Sequence, residues 1–438
     1  GHRHSWSRAT SAVSDERLER NKSNAVEFCD MMFNGNRLRV ARSSHSEQNA
    51  TERPGQVDGT EGCRALTRPI RGGASSVGRM RIGTFVLADI GGYTTFLSDV
   101  GVEHGKEITS HLLNGMFEVD SDVWQLGNVE GDCLFVYSEG DLSLEDVFGY
   151  LRRVYENFRE SLEEVVTGST CACGACDRSG DLTLKFVVHR GEFDVQQIAG
   201  QQHVIGSDVV VAHRLLKNSV PVREYALLSS AVLDVSHDTG FAAVQGSDTY
   251  DDRDPVEYVY VDFAEVRADF HRRRAVFLTE ADADVVVRVD IDAPPDLVWD
   301  AVMNIDRAPE LFPTIVRVET LAGAVEEAGS VHTCLHGDGM HAVHYRVAYD
   351  AESRRLTDRL TGVPVAERML QTFEAKPSGT GTRLSVFYAL QGETEIDDPE
   401  LKRVVLETIR DHTEADGQGV KASCEAEFAR GLLLDERS

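Results

Sequence analysis

The chain has 438 residues, with 45 basic and 73 acidic side chains and a formal net charge of −28. Its length allows two or three domains of ordinary size. Its negative charge argues against nucleic acid or an anionic membrane as a partner, because both repel acidic surfaces. Since no apolar run approaches the roughly 18 residues that a membrane span needs, we expect a soluble, cytoplasmic protein.

Residues 1–79 differ from the rest of the chain in charge and pattern. They carry 13 basic and 9 acidic side chains, are rich in Ser, Arg, Asn and Gly, and show no sustained helical or strand period. Such composition is typical of disordered segments. The sequence begins with Gly1, and Met80 stands directly before the first convincing strand. We therefore expect 1–79 to be a disordered, dispensable or artefactual leader, with a natural start at Met80.

From residue 80 to residue 265, strand and helix patterns alternate. The predicted elements are a strand at 83–89, a helix at 103–124, a hairpin at 125–138, a helix at 143–166, a strand at 182–193, a helix at 206–218, and strands at 225–229, 241–246 and 256–262. Apolar residues recur at helical spacing in the first helix, which indicates an amphipathic face. This order predicts an α+β domain with a central mixed or antiparallel sheet.

Two carboxylates stand at strand ends in this domain. Asp89 lies in FVLADIGGYTTFL at 85–97, where an apolar strand leads through a glycine turn into a helix, and Asp132 lies in the turn of the hairpin NVEGDCLFVY at 128–137. Two aspartates on adjacent strand ends, beside such a turn, can hold a divalent metal against a triphosphate. The alternative is a helix-capping aspartate and an ordinary turn aspartate.

These segments resemble the F-x-D-I-x-G-[FY]-T and G-D elements of class III nucleotidyl cyclases. The helix GSDVVVAHRLLKN at 206–218 is similar to their G-x-x-V-N-x-A-x-R element, and the run from 185 to 221 also resembles an uncharacterised bacterial cyclase-like family. The resemblance implies an α/β sandwich with a ferredoxin-like core that converts a nucleoside triphosphate to a 3′,5′-cyclic nucleotide. It also implies a homodimer, because in that family the site forms between two such domains.

The resemblance assigns roles to single residues. It implies that Mg²⁺ or Mn²⁺ is bound by Asp89, Ile90 and Asp132, and that Arg214 stabilises the transition-state charge. The implied substrate-binding residues are Gly91, Gly92, Tyr93, Thr94, Asn128 and His203. Three positions depart from the family pattern, since Asn128 replaces a common Lys, His203 an Asp or Thr, and Val210 an Asn. We expect weak, Mn²⁺-favoured turnover with loose base selectivity. The alternative is a non-catalytic domain that binds nucleotide or dimerises.

Three thiols cluster in CACGAC, at Cys171, Cys173 and Cys176. The last two have zinc-knuckle spacing, but a closed structural site needs four ligands and the sequence has no second CxxC. A nearby His or Asp, or a partner subunit, could complete the site. A Zn²⁺ site, a redox-sensitive thiol cluster and an ordinary loop all remain open.

A second domain follows a charged linker at 266–283. It starts with DVVVRVDIDAPPDLVWD at 284–300, a strand that breaks at two prolines and enters a helix. Strands with period-2 alternation follow, and a long helix at 399–431 ends the domain. This order and the A-P-P-x-x-V-W-D start resemble the START-like, or SRPBCC, superfamily of polyketide-cyclase-type domains over 284–434. The resemblance implies a helix-grip fold around a small apolar ligand and leaves the identity of the ligand open.

Four histidines lie close together in the second domain, at His332, His336, His341 and His344. Alternate strand positions could bring two or three of them into one pocket. We expect them instead to be scattered over both sheet faces, because positions 341 and 344 differ by an odd number.

The sequence as a whole favours a nucleotidyl cyclase that is regulated by a small apolar ligand in its second domain. A non-catalytic nucleotide-binding or dimerisation module coupled to the START-like domain is the main alternative. A third possibility makes the START-like domain primary, as a carrier or enzyme for a small apolar molecule.

Overall fold

The computed structural model describes residues 80–99, 102–119, 122–168, 179–198, 200–233, 242–250, 255–337, 341–361, 368–391 and 399–435. The expected leader at 1–79 and the thiols Cys171, Cys173 and Cys176 lie outside these residues. None of the helices that the structure describes has the length and apolar composition needed to cross a bilayer.

The first sheet has eight strands in the order β2-β3-β1-β4-β6-β8-β7, with β5 paired to β4. In chain order they are β1 (Arg81–Gly91), β2 (Gln125–Glu130), β3 (Cys133–Glu139), β4 (Thr183–Ile198), β5 (Gln201–Ile205), β6 (Tyr225–Ser229), β7 (Ala243–Asp248) and β8 (Val256–Asp262). Strands β4 and β6 run parallel, whereas β1 is antiparallel to both β3 and β4. The sheet is therefore mixed, as the sequence predicts.

Among the described residues of this domain, six helices accompany the sheet. They are α1 (Tyr93–Asp99), α2 (Val102–Phe117), α3 (Leu144–Gly168), α4 (Ser207–Leu215), α5 (Ser230–Leu233) and α6 (Ala264–Arg274). Helix α3 begins where Ser143 accepts a hydrogen bond from the Asp146 backbone N–H at 3.1 Å, which satisfies one of the free donors of its first turn. Its buried side chains recur every three or four residues and pack on the sheet. The predicted helix at 103–124 is shorter than expected, because α2 ends at Phe117.

Strand β1 is buried on both faces, which explains its nearly continuous apolar sequence. Val86 and Ala88 pack in the core beneath α2 and α3. Phe85 and Leu87 pack on the opposite face, in a core that includes side chains of α4. Because successive strand residues alternate between faces, Asp89 belongs to the α4 side of the sheet.

The second sheet has seven strands in the order β10-β11-β12-β13-β14-β15-β9, all paired antiparallel. They are β9 (Val285–Ile291), β10 (Ile315–Ala322), β11 (Val331–His336), β12 (His341–Asp350), β13 (Arg355–Thr361), β14 (Arg368–Ser378) and β15 (Gly381–Gln391). The helices are α7 (Pro295–Met303), α8 (Ala308–Leu311) and α9 (Pro399–Asp435), with a 3₁₀ turn at Ile305–Arg307.

Helix α9 lies along β9 and against α7 and α8. Its buried Val405, Ile409 and Val420 share a core with Val287 and Leu384 of the sheet. A sheet that packs on one long helix in this way is the expected helix-grip arrangement. Together with the first sheet, it confirms the predicted α+β fold class.

The predicted linker at 266–283 contains most of α6, so its charges do not mark an extended segment. Arg274 donates a hydrogen bond to Glu160 at 2.5 Å, and Arg273 forms an ion pair with Glu156. Both acidic residues lie on α3. The run of arginines is therefore held against a neighbouring helix by carboxylates that a sequence scan cannot pair with it.

The two domains share a packed interface. Val343, Tyr345 and Val347 of β12 belong to the same buried core as side chains of α3. Beside it, Arg359 of β13 forms an ion pair with the buried Glu163 of α3. The outer face of the second sheet is thus covered by helices of the first domain.

Candidate functional site

The structure brings Asp89 and Asp132 together at one edge of the first sheet. Asp89 stands opposite Cys133 in the β1–β3 register, and the backbone N–H of Ile90 donates to the carbonyl oxygen of Asp132 at 3.2 Å. Burial raises the pKa of the Asp132 carboxyl, and the nearby Asp89 carboxylate raises it further. The Ile90 side chain points into the core. A bound divalent cation would relieve the repulsion between the two carboxylates.

Lys185 is a member of this site that sequence reasoning missed. It is the β4 residue directly opposite Asp89, and its Nζ lies 3.0 Å from the Asp89 carboxylate. Although burial lowers the pKa of Lys185, the ion pair with Asp89 raises it above the usual value. Lys185 is a basic residue within the apolar strand predicted at 182–193. Its position opposite Asp89 follows only from the β1–β4 register. The site therefore contains one built-in cation.

The glycine turn after β1 forms as predicted. Gly92 has a φ of +85°, a left-handed conformation that favours glycine, and α1 begins at the next residue. A Cβ atom at Gly91 would lie 2.3 Å from the Thr183 hydroxyl oxygen. Thr94 is exposed, whereas Tyr93 packs partly against the core. Gly92 and Thr94 are thus exposed, whereas Gly91 ends β1 against Thr183 and the Tyr93 ring is partly engaged elsewhere.

Helix α4 carries the predicted catalytic residue, Arg214, which is half-buried. Val209, Ala212 and Leu215 are buried against the strands. Val210 is 46% exposed, and Arg214, one helical turn later, shares its side of the helix. Val210 therefore lies on the surface of the single chain.

The two predicted base-facing residues lie on strands that approach each other, β2 and β5. Asn128 is exposed, and its side-chain amide donates to the Glu130 carboxylate at 3.1 Å. His203 is half-buried opposite Gln196 of β4. Beside them, His213 of α4 lies 3.5 Å from Glu130. This side of the sheet offers amide, imidazole and carboxylate groups that can form hydrogen bonds with a base.

The second domain contains a partly open cavity of about 170 Å³ between its sheet and α9. Apolar cavities on the order of 150 Å³ accept a molecule the size of benzene. Its apolar lining includes Met303, Phe312, Leu356, Met369, Phe373, Val386 and Val420. A concave, mostly apolar lining with a few polar groups is common in pockets that bind small molecules.

Several polar groups converge in this cavity. The Gln371 side-chain amide donates to the Tyr388 hydroxyl at 2.5 Å. Burial raises the pKa of the Asp416 carboxyl to about 7, and one of its oxygens is buried without a hydrogen-bond partner. On the opposite wall, Arg346 donates to Asp358 at 2.5 Å. Although burial opposes its ionisation, Arg346 and the nearby His344 hold the pKa of Asp358 well below its usual range.

The expectation that the four histidines are scattered was wrong for three of them. His332, His336 and His344 line the cavity, and His341 is exposed. His332 stands directly opposite His344 in the β11–β12 register, and their rings stack with centroids 4.6 Å apart. The odd spacing separates positions 341 and 344 as expected. That spacing says nothing about the orientation of β11, whose even-numbered residues His332, Cys334 and His336 line the cavity.

Cys334 joins two of these histidines. The ligating atoms of His332, Cys334 and His344 all lie within 4.8 Å of one another. Burial, with His344 beside it, lowers the pKa of His332 to about 3. Burial also opposes the charge of His344, but the adjacent Cys334 and Asp358 raise its pKa to about 10. Sequence reasoning did not include Cys334 in any site.

A segment of each domain matches the model of a protein family. Residues 282–425 match the family described as polyketide cyclase/dehydrase and lipid transport, which confirms the predicted polyketide-cyclase-type domain over this range. Residues 109–225 match a family described as a protein of unknown function, DUF2652. An uncharacterized protein of Mycobacterium tuberculosis is 32% identical over 108 residues, which are 25% of this chain and 51% of that protein. The chain thus spans about half the length of that curated relative.

Similar solved structures fall into two groups. The adenylyl cyclase CyaB from P. aeruginosa is 16% identical, with a TM-score of 0.35 over 42% of this chain and 94% of that chain. The guanylyl cyclase Cya2 is 19% identical, with a TM-score of 0.33 over 42% and 93%. The Zhui aromatase/cyclase from Streptomyces sp. R1128 is 20% identical, with a TM-score of 0.28 over 32% and 92%. At these identities and scores, the likeness says nothing about activity.

Proposed function

We propose that the first domain binds a nucleoside triphosphate with Mg²⁺ or Mn²⁺ and converts it slowly to a cyclic nucleotide, and that a small apolar ligand in the second domain regulates it. The observation that carries this proposal is the juxtaposition of Asp89 and Asp132 beside the Gly91–Gly92 turn. Carboxylate oxygens are ligands that Mg²⁺ prefers, and it completes its shell with substrate phosphates and water. These two residues would hold the ion, which would neutralise phosphate charge.

The side of α4 that carries Val210 supports a homodimer as the active form. Arg214 is half-buried and lies one helical turn after the exposed Val210, on the same side of the helix. A planar guanidinium suits a phosphoryl oxyanion, and a second chain could supply it across an interface. Apolar side chains are exposed nearby on β2, β5 and α4, at Leu126, Val129, Ile205 and Val210. Contiguous exposed apolar residues favour a protein–protein contact.

Regulation by the second domain has a physical basis in strand β12. His344 and Arg346 line the cavity, and the alternate residues Val343, Tyr345 and Val347 pack in the core shared with α3. A ligand that shifts β12 therefore also acts on a helix of the first domain.

The second candidate is a domain that binds nucleotide without converting it. Two observations favour it. The Lys185–Asp89 ion pair already neutralises one of the two carboxylates, so the site has less need of a metal ion. Val210 cannot donate a hydrogen bond where an asparagine would help to orient the ribose.

The decisive experiment is a product assay with ATP, GTP, CTP and UTP in the presence of Mn²⁺. We expect a cyclic product that is lost in Asp89→Ala, Asp132→Ala and Arg214→Ala. Losing one preorganised donor typically costs about 10² to 10³ in rate, so Val210→Asn should accelerate turnover. Asp122→Ala, which changes an exposed carboxylate of the same domain, is the matched control and should leave the rate unchanged.

Thermal melting separates the two candidates when no cyclic product forms. A rise in the melting temperature with Mn²⁺ and triphosphate, lost in Asp89→Ala and Asp132→Ala, supports nucleotide binding without turnover. An identical response in these variants and in Asp122→Ala rules out both candidates.

A further inference from the structure

We propose that His332, Cys334 and His344 form a binding site for a zinc-type transition-metal ion in the cavity wall of the second domain. This site is separate from the carboxylate pair of the first domain and does not depend on the proposed function. All three residues belong to the antiparallel strands β11 and β12. His332 and Cys334 are two positions apart and face the same side, and His344 stands opposite His332.

The spacing of the donors is close to that of a bound ion. The three ligating atoms lie within 4.8 Å of one another. Tetrahedral zinc, with Zn–N of about 2.0 Å and Zn–S of about 2.3 Å, places neighbouring donors about 3.5 Å apart. The donors must therefore approach by at most about 1.3 Å. Rotation of the two imidazoles can supply this, because the second side-chain torsion of histidine is broad.

The donor set selects a class of metal. Thiolate and imidazole ligands favour Zn²⁺ and other late transition metals, whereas Mg²⁺, Ca²⁺ and Mn²⁺ favour oxygen ligands. The two candidate metal sites of this protein therefore differ in the ions that they select. Mg²⁺ should leave the His/Cys site empty even where it fills the carboxylate pair.

A carboxylate behind one ligand supports the assignment. The Nδ1 atom of His344 lies 3.8 Å from the Asp358 carboxylate, which Arg346 holds from its other side. This leaves Nε2 of His344 for the ion. Metal-binding histidines commonly direct their second nitrogen to a carboxylate or carbonyl, which fixes the orientation of the ring.

Three protein ligands leave the fourth position open to the cavity. Structural zinc sites are usually closed by four protein ligands, whereas sites that bind exchangeable groups keep a position for water or substrate. The cavity is mostly apolar, so the group that occupies this position would be an oxygen or nitrogen donor on an otherwise apolar molecule. The ion would anchor and orient that molecule.

The test is a titration of the full chain with Co²⁺, a spectroscopic substitute for Zn²⁺, monitored by absorption. The parent protein carries Cys171→Ser, Cys173→Ser and Cys176→Ser, so that the other thiol cluster cannot contribute. We expect one equivalent of Co²⁺ to produce a thiolate-to-cobalt charge-transfer band and visible d–d bands of a four-coordinate ion. Zn²⁺ should displace it, and excess Mg²⁺ should not.

Variants locate the ligands. Cys334→Ser should abolish the charge-transfer band, and His332→Gln and His344→Gln should each weaken Co²⁺ binding by about 100-fold or more. His341→Gln changes the exposed histidine of β12 and Cys424→Ser changes a buried cysteine of α9, so both should bind Co²⁺ like the parent. Circular dichroism of each variant separates a lost ligand from a lost fold.

The proposal fails if the parent gives no charge-transfer band at one equivalent of Co²⁺. It also fails if Cys334→Ser keeps the band with unchanged affinity. If a histidine variant does not fold, the parent titration and Cys334→Ser still decide the question.

Discussion

The two domains each bring potential metal ligands together, but they do so in opposite ways. In the first domain, Asp89 and Asp132 are partly exposed oxygen donors, and Lys185 already supplies a positive charge between the strands. In the second domain, His332, Cys334 and His344 are nitrogen and sulfur donors inside a mostly apolar cavity, with a buried Arg346–Asp358 pair behind them. The charged groups of the first site are partly hydrated, so they lose little solvation free energy on folding. Those of the second site are buried, so they lose much solvation free energy unless they are paired.

The largest loss of stability is expected at Asp358. Its replacement by Ala leaves the Arg346 guanidinium buried and unpaired, which typically costs about 3–5 kcal/mol in the free energy of unfolding. Urea denaturation measures the loss. The control is Asp290→Ala, which breaks the exposed ion pair with Arg383 in the same domain and should change stability little. Equal losses in the two variants would contradict the burial argument.

The next effect concerns Asp416 and its dependence on pH. Its pKa is raised from 3.8 to about 7. Between these two pH values the folded state therefore binds more protons than the unfolded state. Stability therefore falls as the pH rises through this range. At pH 8, Asp416→Asn should be more stable than the parent by about 2–4 kcal/mol, and the difference should vanish below about pH 4. Asp411→Asn, on the exposed side of α9, should show no such trend.

A smaller effect is expected at Lys185, the cation that pairs with Asp89 in the first domain. Lys185→Met removes the cation beside Asp89, so the free energy of unfolding should fall by about 1–3 kcal/mol. Because the two carboxylates then repel each other without compensation, Mg²⁺ should restore more stability in the variant than in the parent. Thermal melting with and without Mg²⁺ measures both effects. An equal metal response in parent and variant would show that Lys185 does not share the site.

The smallest effect is expected at the turn that precedes α1. Gly92→Ala places a side chain at a φ of +85°, and the strain should cost about 1–2 kcal/mol. Gly168→Ala ends α3 in open space at an ordinary φ, so it should cost less. Chemical denaturation of both variants checks the difference. If Gly92→Ala is as stable as Gly168→Ala, then the tight turn is not needed for the local geometry.

The parts of the fold that local patterns determine could be predicted from the sequence. The turn after Asp89, the hairpin around Asp132 and the long helix α9 each depend on neighbouring residues, and the alternation of each strand is visible in its own sequence. The ion pair of Lys185 and Asp89, and the pairing of His332 with His344, depend on register between strands. Register is a tertiary property, set by which apolar faces are buried together. Whether two positions in one strand differ by an odd or an even number does not give the register between strands.

The helix at 264–274 was not predicted, and most of it was interpreted as a linker, for a related reason. Its run of arginines suggested a solvated linker, because isolated like charges repel each other. The carboxylates that pair with them lie on α3, more than a hundred positions earlier in the chain. Such a partner is invisible to any scan of a local window.

Strand β12 belongs at once to the cavity wall and to the core shared with the first domain, and this double membership has a thermodynamic consequence. If the cavity ligand changes the affinity of the first domain for triphosphate by some factor, triphosphate must change the affinity of the cavity for its ligand by the same factor. Coupling through a shared strand cannot run in one direction only. The nucleotide would then be an effector of the cavity as much as the cavity ligand is an effector of the nucleotide site.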